Sequence, residues 1–253
     1  MSKLTLLFDI DGVIRDVAGS YRRALQETVH HYGGWRPDPS SIDALKAEGR
    51  WNNDWDASLE FLRRRGLPCP DRDALITVFS SFYFGGDPTG DHRSWTGFIG
   101  DEPLLVDPSF FTALTTYGCR WGFVSGAEPP SARFVLTQRL GLVNPPLIAM
   151  GDAPDKPDPK GLILLSDQLV ADSTSAVAYL GDTVADVQTV LNARQQCPQR
   201  TWISLGVPPP HVQASKDARL RYDKQLRDAG ADHILSQTSD LIGWIANNVG
   251  TES

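Results

Sequence analysis

The spacing of apolar residues changes twice along the chain, and the changes divide it. The first run, Leu4 to Phe8 (LTLLF), is too short for a core helix and reads as a buried strand. From Ser20 the period becomes helical: YRRALQETVHHYG stops at Gly33-Gly34, and SSIDALKAEG, NDWDASLEFLRRRG and DRDALITVFSSFYFGG follow. No strand pattern interrupts them, so residues 15–95 read as a helical module. After GGDPTGDHRSWTG, short apolar runs alternate with helical patterns. RWGFV (120–124), PLIAM (146–150), AVAYL (176–180) and TWISL (201–205) predict strands. SARFVLTQRLG, DPKGLILLSDQL and TVADVQTVLNARQ predict the helices between them.

Strands alternating with helices predict a parallel sheet covered on both faces. LTLLF belongs to that sheet by composition. The expected fold is therefore α/β: a doubly wound, Rossmann-like core formed by residues 1–14 and 96–253, with the helical module of 15–95 inserted after the first strand. GVPPPHVQASKD (206–217) reads as a loop, and the last residues as frayed.

Composition narrows the function classes. With a net charge of −7 and no long basic run, a sequence-independent grip on nucleic acid is not expected. No apolar run approaches the length of a membrane span, and none is expected to contact one. Cys69, Cys119 and Cys197 are odd in number and far apart, which argues against a disulfide framework and for a reducing compartment. The expected location is the cytoplasm.

The candidate chemistry lies just after the predicted strands. In an open parallel sheet ligands bind beyond the carboxyl ends of the strands. LTLLF is followed by Asp9 and Asp11, RWGFV by Ser125 and Gly126, PLIAM by a segment carrying Lys156, and AVAYL by Asp182 and Asp186. Paired carboxylates there need neutralising, and hard oxygen ligands without His or paired Cys suit Mg²⁺. If a helix starts after Gly181, Asp182 lies near its N-cap and Asp186 one turn in. Ser125 and Gly126 offer a hydroxyl and backbone N–H groups to a phosphate. Lys156 offers a compact positive charge, with Lys160 as its competitor.

The set FDIDGV, FVSGA, DKPDP and GDTVAD, in that order, resembles the four signature motifs of the haloacid dehalogenase superfamily. The inserted helices resemble the helical cap of its phosphatase-like branch, which includes phosphoglycolate phosphatases and beta-phosphoglucomutases. The resemblance implies Asp9 as nucleophile, forming an aspartyl-phosphate, and Asp11 as the acid and base that protonates the leaving alcohol and activates water. It implies Ser125 and Gly126 as phosphate-binding, Lys156 as both phosphate-binding and orienting for Asp9, and a Mg²⁺ site at Asp9, Asp11 (through its carbonyl), Asp182 and Asp186. The superfamily's dehalogenases lack the second aspartate of the first motif, so Asp11 favours phosphoryl transfer. The implied activity is hydrolysis of a small phosphorylated metabolite. A phosphosugar mutase using the same core and a noncatalytic phosphometabolite-binding protein are the alternatives.

Selectivity has two candidate locations. Arg50, Trp51, Asn52, Asn53 and Trp55 form a polar–aromatic cluster at a helical break. It reads either as a helix start, with Asn53 or Asp54 capping, or as a specificity loop. Arg15, directly after the first motif, is the second candidate for touching substrate. His30 and His31, on a helix, read as solvated rather than as metal ligands.

Overall fold

The computed structural model describes residues 4–48, 51, 53–170 and 175–248. The chain forms two compact units, Met1–Asp16 with Leu104–Ser253, and Val17–Pro103. The first contains a six-stranded sheet: β1 (Thr5–Phe8), β2 (Arg120–Val124), β3 (Leu147–Ile148), β4 (Val177–Gly181), β5 (Trp202–Gly206) and β6 (His233–Ile234). Every pairing is parallel and the order is β3-β2-β1-β4-β5-β6. The first strand in sequence is thus central, with Thr5 opposite Arg120 on one side and Val177 on the other. All four residues of β1 are buried, as expected for a strand covered on both faces. The winding reverses between β1 and β4, and that reversal opens a crevice at their carboxyl ends.

The second unit is helical: α1 (Ala18–Gly33), α2 (Pro39–Ala47), α3 (Asp54–Arg64) and α4 (Arg72–Phe84). The starts of α2, α3 and α4 are set by Asp38, Asn53 and Asp71, whose side chains accept N–H bonds from the first turn. Tyr21 of α1 stacks on Tyr83 of α4 with centroids 4.6 Å apart. Glu102 accepts hydrogen bonds from Ser20 (2.5 Å) and Tyr83 (3.1 Å).

These contacts move the expected boundaries. The segment after residue 95 stays with the helices, because Glu102 is bonded to them and Gly97 N–H donates to Phe84 O at 2.9 Å. Residues 15 and 16 stay with the sheet, because Arg15 is bonded to Asp11 and Ser131.

Around the sheet lie α5 (Pro108–Thr116), α6 (Pro129–Arg133, continued by a π-helical turn Phe134–Arg139), α7 (Lys160–Leu169), α8 (Val184–Gln196), α9 (Pro210–Gln213), α10 (Lys216–Ala229) and α11 (Leu241–Asn248). Leu7, Val124, Val177 and Tyr179 of the sheet pack with Leu162 and Leu165 of α7 and Val190 of α8. An aromatic cluster also forms around the sheet, where Phe8 meets Phe110 and Phe111 of α5 at 5.9 and 6.1 Å. The strand expected over 146–150 is only two residues long. It is an edge strand, and the preceding Pro145-Pro146 has no N–H to give a ladder. The expected loop 206–217 contains the short α9. No helix among the described residues is long and apolar enough to cross a membrane.

Candidate active site

β1 delivers Asp9 to the crevice, where its N–H donates to Leu180 O of β4 at 2.9 Å. The chain then turns sharply. Ile10 O accepts from the N–H groups of Ile14 (2.8 Å) and Arg15 (3.1 Å), and Gly12 takes φ +76°. Gly12 is required twice over: that φ disfavours an L side chain, and a Cβ there would lie 2.0 Å from Asp182 Oδ2. The small residue lets the first turn approach Asp182 at the end of β4.

Asp9 is 6% exposed, Asp182 9% and Asp186 1%. One carboxylate oxygen from each lies within 4.8 Å of the other two. Lys156 is the cation among them, with Nζ 2.9 Å from Asp9 Oδ2 and 2.6 Å from Asp186 Oδ1. The carboxylates respond unequally. Burial pushes Asp9 up to about 6; Lys156 opposes it while Asp186 and Asp11 add to it. Burial, then Asp186 and Asp9, raise Asp182 well above the carboxylate range. Burial would raise Asp186 too, but Lys156 and the bonds from Thr183 overcome it and hold it low.

Both oxygens of Asp186 are engaged. Oδ2 accepts from Thr183 N–H (2.9 Å) and Oγ1 (2.6 Å), and the Asp186 N–H returns a bond to Thr183 Oγ1, a capping box at the start of α8. Asp186 therefore anchors α8 and Lys156, while Asp9 accepts a single bond on each oxygen, from Ile10 N–H at 2.8 Å and from Lys156 at 2.9 Å. Such a set, all carboxylate and with one ammonium for three acids, fits a hard divalent cation and does not fit a soft one.

Beyond β2, Ser125 is buried and its Oγ accepts the Ala127 N–H at 3.2 Å, while Gly126 is exposed with no atom within 4 Å of an added Cβ. Asp9, Ser125, Lys156, Asp182 and Asp186 are thus gathered at one end of the sheet. Asp11 stands apart from the three-carboxylate cluster, its Oδ1 bonded to Arg15. Lys160, the competitor of Lys156, begins α7, its N–H bonded to Asp158.

Arg15, the second candidate for touching substrate, has a fully buried side chain, held by Asp11 and Ser131. Asn53 spends its side-chain oxygen on the N–H groups of Trp55 and Asp56, so the helix-start alternative describes it. Trp51 Nε1 donates to Glu48 at 3.0 Å. Arg50 and Asn52 lie outside the described residues.

Two tyrosines escaped the sequence reading. Tyr179 on β4 donates to Val124 O at 2.8 Å and receives Lys156 Nζ at 3.2 Å, tying three strand ends together. Tyr222 on α10 donates to Asp182 O at 2.9 Å. The signal for Tyr179 was a hydroxyl inside an otherwise apolar strand, which needs a buried partner. Tyr222 had no local signal.

The haloacid dehalogenase-like hydrolase family model matches residues 4–194. An imidazoleglycerol-phosphate dehydratase of Phytophthora nicotianae is 29% identical over 250 residues, covering 97% of this chain but 48% of that protein. The chain thus spans about half the length of the curated relative it matches. Phosphatase Tt82 from Thermococcus thioreducens is similar in structure, with a TM-score of 0.63, 20% identity, and 86% of this chain and 98% of that one covered. A putative beta-phosphoglucomutase from Thermotoga maritima has a TM-score of 0.64 at 15% identity, with 97% and 99% covered.

Proposed function

The chain belongs to the haloacid dehalogenase-like hydrolases, and from that premise we propose that it hydrolyses a small phosphomonoester in a Mg²⁺-dependent reaction through an aspartyl-phosphate on Asp9. The observation that carries this reading is the charge imbalance at the β1–β4 crevice: three clustered carboxylates share one lysine.

Asp9 attacks phosphorus as the bond to the ester oxygen breaks. The leaving oxygen takes the proton of Asp11 and departs as the alcohol. Asp11, now a base, takes a proton from water. The water oxygen bonds to phosphorus, the bond to Asp9 breaks, and inorganic phosphate leaves with Asp9 and Asp11 restored. Ser125 Oγ and the Gly126 N–H receive phosphoryl oxygens. Lys156 orients Asp9 and offsets its charge. Asp9, Asp182 and the main-chain carbonyl of Asp11 would hold Mg²⁺, with Asp186 behind them; when bound, the ion offsets the charge of the phosphoryl group facing a carboxylate nucleophile.

The test is inorganic phosphate release from a panel of metabolite phosphomonoesters, with Mg²⁺, with chelator, and with Asp9→Asn. Release that needs both metal and Asp9 is expected. Release that survives in Asp9→Asn would sink the covalent route, and an isomeric sugar phosphate accumulating without phosphate would make the protein a mutase.

A further inference from the structure

Asp11 is the acid of this site that lies outside the carboxylate cluster, and its partner is unusual. The Arg15 side chain has no solvent exposure, whereas that of Asp11 is 28% exposed. Arg15 Nε donates to Asp11 Oδ1 at 2.7 Å, and its Nη2 donates to Ser131 Oγ at 2.8 Å. Ser131 lies in α6, the helix that follows the Ser125 turn. Main-chain bonds fix Arg15 in turn: its N–H reaches Ile10 O at 3.1 Å and its O receives Gly12 N–H at 2.9 Å. One planar guanidinium therefore braces the turn after β1 against the helix after β2.

We propose that Arg15 is a positioning residue for Asp11: anchored on Ser131, it holds Oδ1 so that the other oxygen stands ready to pass a proton to and from the reacting group. The inference rests on the role given to Asp11 above. Proton transfer requires hydrogen-bond reach, about 2.6–3.2 Å, and a partly exposed aspartate on a turn otherwise samples several χ1 wells. Among the described residues Arg15 is the sole hydrogen-bond partner of the Asp11 side chain. A lysine cannot replace it, because a single ammonium does not present two donors in a fixed plane.

A purely structural Arg15 and a positioning Arg15 differ in what they do to different esters. The readout is kcat/KM, which covers the steps up to departure of the alcohol. Glycerol 2-phosphate has a leaving alkoxide that must be protonated; 4-nitrophenyl phosphate has a phenolate that leaves without a proton. The full chain is compared with Arg15→Lys, Ser131→Ala and Asp11→Asn, each verified as folded by circular dichroism. Both Arg15→Lys and Ser131→Ala should lose roughly ten- to hundredfold on glycerol 2-phosphate and stay within about threefold on 4-nitrophenyl phosphate. Asp11→Asn should show the same bias more strongly. Equal losses on both esters, or none, in the Arg15 and Ser131 variants beside a biased Asp11→Asn would overturn the positioning role and leave Asp11 intact. An unbiased Asp11→Asn would overturn the role of Asp11 and this inference with it. If Arg15→Lys does not fold, Ser131→Ala decides by the same bias.

Discussion

Two buried carboxylate groups in this protein receive opposite treatment. In the helical unit, Glu60 on α3 is 3% exposed and surrounded by cations. Arg63 grips both of its oxygens at 2.6 Å, Arg64 adds a third bond at 2.6 Å, and the bond to Arg63 leads in holding the carboxyl down at about 2. At the β1–β4 crevice, three acids share Lys156, and burial drives Asp9 up to about 6. One arrangement is saturated by its own side chains. The other is left short of positive charge, and a deficit that the fold could remedy with one more arginine is a place for something brought from outside. Burial alone does not mark a functional acid; burial with unbalanced charge does.

The strongest way to break this contrast is to remove Lys156 from the crevice. Lys156→Met should lower kcat by roughly 10²- to 10³-fold, the range for losing a charged stabilising donor. With chelator present it should also lose about 3–5 kcal/mol of stability, because it leaves buried acids unpaired. Urea unfolding beside a phosphate-release assay measures both; unchanged stability would mean that the acids are already neutral. Next in size, Mg²⁺ at a hundredfold excess over its Kd should stabilise the protein by about 2.7 kcal/mol, and Asp182→Asn should abolish most of that gain. A thermal melt with and without metal reads it.

The saturated pair gives a smaller effect of a different kind. Glu60→Gln should cost about 1 kcal/mol, because Arg63 and Arg64 are themselves largely exposed and Arg64 keeps its bonds to Glu48, and should leave the Mg²⁺-induced stabilisation unchanged. A loss of metal response in that variant would erase the distinction. An effect of similar size is in pH. A raised Asp9 favours the protonated fold, so the metal-free protein gains stability as pH falls through about 6. Between pH 7 and 5 this should amount to roughly 1 kcal/mol relative to Asp9→Asn. Glu60 has the opposite sign: its contribution is whole above the ordinary glutamate range and is lost as pH falls towards about 2. Denaturation in chelator at the two pH values tests the Asp9 sign.

The sequence made the site more legible than its supports. Apolar runs located β1, β2, β4 and β5 to within a residue, and with them the turns that carry Asp9, Ser125 and Asp182. What escaped has little local signature. The helix α10 buries Asp223 and Leu226 and is laced by pairs such as Arg219–Asp223 at 2.7 Å, so no apolar stripe announces it. The strand β6 is two residues long. A better reading would have found α5, whose Asp107-Pro108 start is a cap followed by proline at the first helical position. The sequence position of Arg15 next to the site suggests contact with substrate, whereas a tight turn folds it inward onto Ser131, 116 residues away.

The central place of β1 has a consequence for how the protein is made. Thr5 pairs with Val177, so β1 lacks one neighbour while the next 172 residues are made. At about 5–20 residues per second that is a wait of roughly ten to thirty-five seconds, during which β1 is an apolar ribbon with an open edge. Residues 17–103 emerge within that interval and have their own partners in Glu102 and the Tyr21–Tyr83 stack. Asp9 and Asp182 meet only when β4 docks, so their mutual repulsion arises late in folding, when the rest of the sheet is there to hold them together.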